Sequence, residues 1–543
     1  MSDQPPRHMR RESGRPMPPG RPPGQDPANV MPPRLRESER LRERMRAQRM
    51  GSGDDLPPRP GRPTLPSEAR RFPAWVTPAV LGAVALLAGV AALLLDRDSS
   101  AEALDQPTPT TPVLSARRVP ELLAAPVANA RLRGDLASWA GGLPSASCLV
   151  VQSGGETLFS RNPATPLAGA STQKLVTGTA ALLELGPDAH LDTVASAAAP
   201  PANGQISGDL YIVGGGDPVL TTGPYAKQLY EGRQPSLISD PGKLADAIKA
   251  AGVTKITGSV VGDGSKYDTQ RFNPAWPASF HSQNVVGQLG ALMINDGYEG
   301  FPAAYRGPAS RTAAPDAAQH AAGVITALLR ERGVQVVGPP KSGKAPAGAM
   351  LTTLATLPSP TIEEIVGEML TESDNDTAEM LLKELGQRSG GIGTAQAGAA
   401  AATKILADHQ VELGDAKIVD GSGLSTQDQV SCQLLMSLIT RPDTGPSLVE
   451  HSAVAGKTGT LWNVFKGTPI VGRLHAKTGT LNSVTALAGR ADPTQGGSLM
   501  FSFVANRPGG TIPNREIEAW RNKLAEILVG YPRGVDIEAL LPK

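Results

Sequence analysis

An uncharged apolar segment at residues 74–95 divides the 543-residue chain and limits most strongly how it can fold. The segment reads AWVTPAVLGAVALLAGVAALLL, which is 22 residues without a charged side chain. A helix of this length rises about 1.5 Å per residue and reaches about 33 Å, enough to cross the hydrocarbon core of a bilayer. A cleaved signal peptide lies closer to the N-terminus and has a shorter apolar core, so we expect a retained transmembrane helix.

The charges on the two sides of this segment predict its orientation. Arginines precede it and Asp96 follows it, so the positive-inside rule places the N-terminus in the cytoplasm and the rest of the chain outside the cell membrane. Residues 1–73 carry 16 Arg, no Lys and nine Asp or Glu, with runs such as RPMPPGRPPG. Because they offer almost no apolar surface to bury, we expect a disordered cytoplasmic tail, and a cytoplasmic partner for it stays open.

After a polar Pro/Thr-rich linker at residues 96–118, the patterns become those of a globular α/β protein. Short apolar runs predict strands at residues 147–152, 208–213 and 256–261. One clear helical stripe, at i, i+3, i+4, i+7 and i+8, is formed by Ile362, Ile365, Val366, Met369 and Leu370. The net charge of the whole chain is only +1 although residues 1–73 carry an excess of arginine, so the rest of the chain is acidic. An acidic globular part with a basic tail does not resemble a nucleic-acid-binding protein.

A Ser-x-x-Lys pair lies where the sequence AGASTQKLVTGTAALLELG turns helical. Ser171 and Lys174 are three residues apart, so they share a face of the first helical turn. A serine hydroxyl is a poor nucleophile until a base removes its proton, and a buried neutral lysine can be that base. The helix N-terminus also offers backbone N–H groups to a developing oxyanion. Most Ser-x-x-Lys pairs are ordinary surface helix, so this pair alone does not identify a site.

The tripeptide Ser373-Asp374-Asn375 is the second candidate motif. We expect the striped helix to end near Thr371 and a new helix to begin near Asp376. The tripeptide then lies in a tight turn, from which short polar side chains can point into a cleft. By itself it is better explained by ordinary helix N-capping through Ser or Asp.

The pentapeptide KTGTL occurs twice, beginning at Lys457 and at Lys477. The second copy opens a strand, and further strands at residues 484–490 and 498–505 and a helix at residues 517–529 follow it as an antiparallel meander. The first copy runs into LWNVFKGTP, which is typical of loop and turn. We therefore assign the chemistry to the copy that begins at Lys477 and interpret the other as an accident of composition.

Together, the three motifs in this order resemble the penicillin-binding proteins and serine β-lactamases. Ser171 and Ser373 lie 202 residues apart. A large insertion at this place resembles the class C low-molecular-mass penicillin-binding proteins, the D-alanyl-D-alanine carboxypeptidase/endopeptidase group of peptidase family S13. The blocks ASTQKL, GDLYIVGGGDPVL, INDG, DGSGLS and AKTGTL are also similar to that family. The TQDQ after DGSGLS departs from the basic, Asn-containing stretch expected there, but no departure affects the three motifs.

This resemblance implies an α/β (α+β) fold in which helices flank an antiparallel sheet. It implies a DD-peptidase domain at residues 119–192 and 345–535, with an inserted accessory domain at residues 193–344. The implied protein is a membrane-anchored D-Ala-D-Ala carboxypeptidase, with endopeptidase activity open, that acts on peptidoglycan stem peptides, binds β-lactams as inhibitors and needs no metal or cofactor. A catalytically slow cell-wall scaffold and a β-lactamase stay open as alternatives.

The resemblance also assigns roles to the first two motifs. Ser171 attacks the carbonyl between the last two D-alanines, and Lys174 accepts its proton. Ser373 relays a proton toward the leaving amine, while Asn375 orients Lys174 and the substrate backbone. Water then hydrolyses the acyl-enzyme.

In the third motif, the resemblance implies that Lys477 supplies positive charge and that Thr478 and Thr480 bind the terminal carboxylate. Gly479 allows a ligand backbone to approach closely. The backbone N–H groups of Ser171 and Thr480 form the implied oxyanion hole.

The two cysteines, a P-loop-like octapeptide and one histidine give weaker indications of function. Cys148 and Cys432 would lie in an oxidising compartment, where they either pair or simply pack in the core. The octapeptide GPPKSGKA nearly matches a P-loop, but Ala345 lacks the magnesium-binding hydroxyl, which excludes nucleotide binding. His475 shares a strand face with Lys477 and is a rival general base, although packing explains it better. The sequence contains no Cys/His spacing typical of a metal site.

Overall fold

The computed structural model describes residues 119–229, 237–300, 310–346 and 351–532. The predicted tail, the apolar segment at residues 74–95 and the linker lie outside the described residues. In the ranges described, no helix combines the length and the apolar composition needed to cross a membrane.

The described residues form the following helices and strands. The helices are α1 (Val119–Gly141), α2 (Gln173–Leu185), α3 (Gly223–Leu229), α4 (Pro241–Ala250), α5 (Ser279–Gln283), α6 (Ala317–Glu331), α7 (Ile362–Glu372), α8 (Asn375–Gly390), α9 (Ala395–Asp408), α10 (Cys432–Thr440), α11 (Gly445–Glu450) and α12 (Asn514–Val529). The strands are β1 (Ser147–Ser153), β2 (Glu156–Arg161), β3 (Thr193–Ala197), β4 (Gln205–Ile206), β5 (Leu210–Val213), β6 (Lys255–Ile256), β7 (Val260–Asp263), β8 (Gln335–Val336), β9 (Lys341–Ser342), β10 (Thr352–Leu357), β11 (Leu474–Leu481), β12 (Val484–Ala491) and β13 (Leu499–Asn506).

The first sheet is antiparallel, with the strand order β11-β12-β13-β1-β2. Because β1 pairs with β13, an early strand of the described chain lies beside a late one. The pairing of β11 with β12 ends at Leu481 and Val484, so a two-residue turn joins the strand of the second KTGTL copy to its neighbour. The predicted order of strand, strand, strand and terminal helix is confirmed, although α12 begins at Asn514 rather than near residue 517.

Helix α2 lies at the centre of the larger apolar core, and most of its residues are buried. Core residues of α7, α8, α9 and α10 belong to the same cluster. Helix α7 approaches closely at Gly178, where an added Cβ would lie 3.0 Å from the Cγ1 atom of Val366. A disulfide between Cys148 and Cys432, which the sequence left open, joins β1 to α10.

The segment between α2 and α7 has a core of its own. Its larger sheet is mixed, with the order β10-β3-β5-β7-β9, and its smaller sheet has the order β4-β6-β8. Apolar residues of α4 and α6 pack on these strands. Strand β10 follows residue 344, where the predicted insertion ends, yet it pairs with β3 in the sheet of this segment. The predicted domain boundaries stay predictions.

The prediction of one strand at residues 256–261 is wrong, because the chain bends at Gly258 between β6 and β7. Gly258 donates its N–H to the carbonyl of Gly208 at 2.8 Å, and Gly338 donates to the carbonyl of Gly258 at the same distance. A Cβ on Gly258 would lie 2.6 Å from the carbonyl carbon of Gly208. Three adjacent glycines thus let three chain segments pass from the small sheet into the mixed sheet, which apolar periodicity alone does not reveal.

Candidate active site

Ser171 lies in a single 3-10 turn, Ala170–Thr172, that leads directly into α2. The backbone of Ala170 has a φ of 47°, and its carbonyl lies against Gly423 with no room for a side chain there. The turn is therefore held by packing from the loop that carries DGSGLS. One turn later, the Nζ atom of Lys174 lies 3.2 Å from the Oγ atom of Ser171, as the shared helix face predicts.

Lys174 is completely buried and makes two further hydrogen bonds. Its Nζ atom donates to the Oδ1 atom of Asn375 at 2.8 Å and to the carbonyl oxygen of Ser422 at 2.8 Å. A neutral amine has two hydrogens and one lone pair. With both hydrogens on these two oxygens, the lone pair of a neutral Lys174 is left for the Ser171 hydroxyl.

Burial lowers the pKa of Lys174 to about 8, although the charges of Asp420, Asp374 and Glu379 oppose this shift. A lysine in water is almost entirely protonated at neutral pH. The lowered pKa gives Lys174 a significant neutral fraction near physiological pH, which a general base requires.

The turn between α7 and α8 carries the second motif. Ser373 adopts a left-handed conformation with a φ of 63°, and Asp374 caps α8 by accepting from the N–H of Thr377. The capping interpretation is thus correct for Asp374 and does not exclude a role for its neighbours. Asn375 reaches Lys174 with its oxygen, while its Nδ2 atom donates to the carbonyl of Val285 at 3.0 Å.

Lys477 projects from β11 toward this turn and is completely buried. Its Nζ atom donates to the Oγ atom of Ser373 at 2.8 Å and to the carbonyl of Thr478 at 3.0 Å. Burial, followed by the charges of Lys174 and Arg521, holds the pKa of Lys477 well below its usual range. An anion that enters the site would therefore stabilise a charged Lys477.

The strand around Lys477 passes very close to the turn that carries Ser171. A Cβ on Gly479 would lie 2.5 Å from the carbonyl oxygen of Gly169 and 3.2 Å from the backbone nitrogen of Thr172. Only a glycine fits there without movement, which brings β11 against the turn that holds Ser171. On either side, Thr478 and Thr480 face a common cavity.

That cavity has a volume of about 430 Å³. Polar groups of all three motifs meet at one wall, and helix α12 and the loop of the first KTGTL copy form the others. The lining residues are Ser171, Ser373, Thr460, Leu461, Val464, Phe465, Thr478, Thr480, Leu487, Asn514, Ile517, Glu518, Arg521 and Asn522. Ser171 and Ser373 thus line a cavity, and each of these two serines lies beside a buried lysine, Lys174 or Lys477.

The two KTGTL copies have different surroundings. Lys477 reaches Ser373, whereas Lys457 is exposed in a turn and its side chain lies beside Gly472. The first copy nevertheless contributes to the site, because the Oγ1 atom of Thr460 lies 2.9 Å from the Oγ1 atom of Thr478. Sequence analysis missed this contribution, although the repeated Gly-Thr-Leu was its visible signal.

Glu379 and Arg521 are two further residues at the site that sequence analysis did not identify. The Oε1 atom of Glu379 accepts from the N–H groups of Gly421 and Ser422, and Ser422 in turn accepts from Lys174. Burial raises the pKa of Glu379 to about 8. Arg521 projects from α12 and contacts Thr480.

The inserted segment also contacts helix α8 and the loop that carries DGSGLS. The Nε1 atom of Trp276 donates to the Oδ2 atom of Asp420 at 2.6 Å. The N–H of Gly287 donates to the Oδ1 atom of Asp376 at 2.7 Å. Together with the bond from Asn375 to Val285, these contacts position both the second motif and the DGSGLS loop.

The rival base His475 does not line the cavity. Its Nδ1 atom lies 3.9 Å from a carboxylate oxygen of Glu450, and burial lowers its pKa. In the described part of the chain, no group of His, Cys, Asp and Glu side chains is arranged to hold a metal ion.

Comparison with known proteins gives a family match. The model of the D-Ala-D-Ala carboxypeptidase 3 (S13) family matches residues 144–300 and 299–528. Carboxypeptidase DacB of Mycolicibacterium smegmatis is 30% identical over 450 residues, which cover 80% of this chain and 92% of that protein. A D-alanyl-D-alanine carboxypeptidase of Actinomadura sp. (strain R39) is 29% identical over 444 residues, which cover 68% of this chain and 79% of that protein.

A solved structure shows the same fold. Penicillin binding protein 4 (dacB) from Haemophilus influenzae superposes with a TM-score of 0.58 at 21% identity, covering 73% of this chain and 99% of that one. The predicted fold class, an α+β protein with helices beside an antiparallel sheet, is therefore confirmed.

Proposed function

Because the chain belongs to the D-Ala-D-Ala carboxypeptidase 3 (S13) family, we propose that it removes the terminal D-alanine of peptidoglycan stem peptides through an acyl-enzyme on Ser171. The sequence predicts both the family and the enzyme class, and the comparisons confirm both. The acyl-serine step, the substrate and the cellular location belong to the proposal.

The geometry of Lys174 is the single observation that supports the acyl-serine step most strongly. Both hydrogens of the neutral amine have carbonyl-type acceptors at 2.8 Å, on Asn375 and Ser422, and the third neighbour is the hydroxyl of Ser171 at 3.2 Å. A structural lysine would instead form an ion pair. No carboxylate lies within ion-pair distance of Lys174 among the described residues.

In the first half-reaction, the Oγ atom of Ser171 attacks the carbonyl between the last two residues of the peptide and transfers its proton to Lys174. The backbone N–H groups of Ser171 and Thr480 stabilise the oxyanion. The C–N bond then breaks, and the proton that Lys174 took from Ser171 passes through the Ser373 hydroxyl to the leaving amine, which leaves Lys174 neutral again. Lys477 holds that hydroxyl at 2.8 Å. D-Alanine leaves, and the remaining peptide is esterified to Ser171.

In the second half-reaction, a water molecule attacks the ester. Lys174 takes a proton from the water, the ester C–O bond breaks, and the proton returns to the Oγ atom of Ser171. The products are the shortened peptide and free enzyme. Asn375 keeps the Lys174 amine in place through both steps, because its oxygen accepts one of the two amine hydrogens.

β-Lactams are the proposed inhibitors, because their ring carbonyl presents the same electrophile to Ser171. Penicillin binding protein 4 from Haemophilus influenzae has been solved in complex with a β-lactam. That complex supports the proposal through shared fold.

The decisive test is covalent labelling of the full chain, purified in detergent, with a fluorescent penicillin. Wild type, Ser171→Ala, Lys477→Ala and Lys457→Ala would be incubated in parallel and separated on a denaturing gel. We expect a stable label in wild type, none in Ser171→Ala, little in Lys477→Ala and a wild-type level in Lys457→Ala. The last two variants are a matched pair, since each removes one lysine of a KTGTL copy.

The other outcomes distinguish the alternatives. A folded wild-type protein without label would support a cell-wall scaffold, and a label that vanishes within seconds would support a β-lactamase. Endopeptidase activity would be measured separately on a cross-linked muropeptide dimer, with Ser171→Ala as the blank.

We also propose that residues 74–95 anchor the enzyme in the cell membrane, with the catalytic part outside. Their length and lack of charge support this. In fractionated bacterial cells, the chain should stay in the membrane after an alkaline wash, and external protease should digest the catalytic part in spheroplasts. Release by the wash would contradict the anchor without affecting the catalytic proposal.

A further inference from the structure

Helix α12 has two faces with different neighbours. One face contributes Leu524, Ala525 and Leu528 to the core beneath the first sheet. The other lines the cavity at i, i+3, i+4, i+7 and i+8, with Asn514, Ile517, Glu518, Arg521 and Asn522. The buried face fixes the helix, so the polar side chains on the cavity face have a defined position.

Arg521 is held against the strand of the third motif. Its Nη2 atom donates to the carbonyl oxygen of Gly479 at 2.5 Å, to the Oγ1 atom of Thr480 at 2.8 Å and to the carbonyl oxygen of Ala486 at 3.2 Å. One nitrogen of the guanidinium therefore makes all of its observed hydrogen bonds. These bonds bring the cation to the end of the cavity that Thr478 and Thr480 line.

The remaining guanidinium nitrogens are not satisfied by the described residues. The Nε atom is buried and has no hydrogen-bond partner there, and no carboxylate in the described ranges lies within ion-pair distance of Arg521. Glu518 lines the same cavity but does not form an ion pair with Arg521. Burial lowers the pKa of Arg521 to about 10, so it is still charged at neutral pH. Arg521 is half-buried, and a partly desolvated cation without a counter-ion costs free energy that a ligand anion offsets.

We propose that Arg521 is a specificity-determining residue that binds the free C-terminal carboxylate of the peptide substrate beside Thr478 and Thr480. This inference rests on the proposed function and extends it, since it adds a cation from α12 to the residues of the third motif. A guanidinium suits the role because it can offer parallel N–H groups to both oxygens of a carboxylate. The rival explanation is a structural one, in which Arg521 only fastens α12 to β11 and β12.

The test compares two probes on the full-length enzyme. One is an acetylated peptide that ends in D-Ala-D-Ala with a free carboxylate, and the other is the same peptide with a C-terminal amide. We expect Arg521→Gln to lower kcat/KM for the acid by about 10- to 100-fold, to change the amide less than about threefold, and Arg521→Lys to recover part of the loss. Arg515→Gln is the matched control, because it removes an exposed charge from the same helix.

A binding measurement separates this inference from the proposed function. Titration calorimetry of the acid peptide into Ser171→Ala, with and without Arg521→Gln, reports carboxylate binding without turnover. Arg521-dependent binding in Ser171→Ala, together with no cleavage of the peptide by the wild-type enzyme, would uphold this inference and reject the proposed function. Equal losses for acid and amide, or binding that is independent of Arg521, would overturn the inference in favour of the structural explanation. Thermal unfolding of each variant shows whether a loss reflects misfolding.

Discussion

The side chain of Glu379 holds the backbone of Ser422, with its Oε1 atom 2.9 Å from the Ser422 nitrogen. The carbonyl oxygen of the same Ser422 accepts from Lys174, the proposed general base, at 2.8 Å. A buried carboxyl on α8 thus positions, through one residue, the acceptor that helps to orient the lysine lone pair. Glu379 is therefore a positioning residue, since it does not contact the cavity.

Replacement of Glu379 should separate positioning from charge. Glu379→Ala leaves two buried N–H groups, on Gly421 and Ser422, without an acceptor, which costs about 1–3 kcal/mol each. We expect lower thermal stability and at least tenfold slower acylation by a fluorescent penicillin. Glu379→Gln retains an acceptor oxygen and should acylate at close to the wild-type rate. An alanine variant that acylates as fast as wild type would show that the loop holds its shape without Glu379.

The rate of acylation should depend on pH through Lys174. The base must be neutral, and its pKa is lowered to about 8, so the rate should rise about tenfold per pH unit below that value and level off above it. Stopped-flow labelling with penicillin from pH 6 to 9.5 measures this profile. Lys174→Arg should be inactive throughout, because a guanidinium does not lose its proton in this range. A flat profile for the wild type would exclude Lys174 as the base.

The parts of the site that were predictable are those set by local sequence. Ser171 and Lys174 meet because three residues on a helix fix their distance, and the order of strands after Lys477 follows from alternating patterns and turns. Turn chemistry also predicted the break between α7 and α8. On sequence alone, capping was the better explanation of the tripeptide at residues 373–375, and the contact between Ser373 and Lys477 is visible only in the structure.

The parts that were missed depend on contacts between distant segments. Thr460 reaches Thr478, and Arg521 reaches Thr480, only because a loop and a terminal helix close over the same sheet edge. The pairing of Cys148 with Cys432 depends likewise on how β1 lies against α10. No periodicity or spacing in the sequence reports such placements.

Thr460 should therefore contribute to substrate binding. Thr460→Val keeps the shape of the side chain but removes its hydrogen bond to the Oγ1 atom of Thr478, which then loses part of its orientation. We expect kcat/KM for the D-Ala-D-Ala peptide to fall by about 3- to 10-fold, in line with one neutral hydrogen bond. Thr458→Val, in the same copy but outside the cavity lining, is the control. Equal effects of the two substitutions would point to the loop's folding rather than to Thr478.

A buried carboxyl outside the site should make stability fall with rising pH. Burial raises the pKa of Asp217 from 3.8 in an unfolded chain to about 6. Because the pKa is raised on folding, the contribution of the Asp217 carboxyl to the free energy of unfolding is fully present below about pH 4 and is lost as pH rises through about 6. At pH 7.5, Asp217→Asn should unfold at a higher temperature than wild type, with a gain of about 3 kcal/mol in the free energy of unfolding, and it should show no such gain at pH 4. Asp188→Asn, which removes a solvent-exposed carboxylate, is the control. A destabilised Asp217→Asn at pH 7.5 would contradict the prediction.

Gly479 should be irreplaceable for the proposed acylation, because β11 lies very close to the turn of Ser171 at this residue. A Cβ at this position would lie 2.5 Å from the carbonyl oxygen of Gly169 and 3.1 Å from the Cβ atom of Ala486. Gly479→Ala must therefore push the strand away from Ser171, and a displacement near 1 Å costs about 100-fold in rate. Penicillin acylation and thermal unfolding would be measured for Gly479→Ala and for a control, Gly323→Ala. Gly323 lies inside α6, and the nearest atom to an added Cβ there is 4.0 Å away. The control should gain slightly in stability and keep its acylation rate. Normal acylation by Gly479→Ala would mean that β11 can move without disturbing the oxyanion hole, which would remove Thr480 from that role.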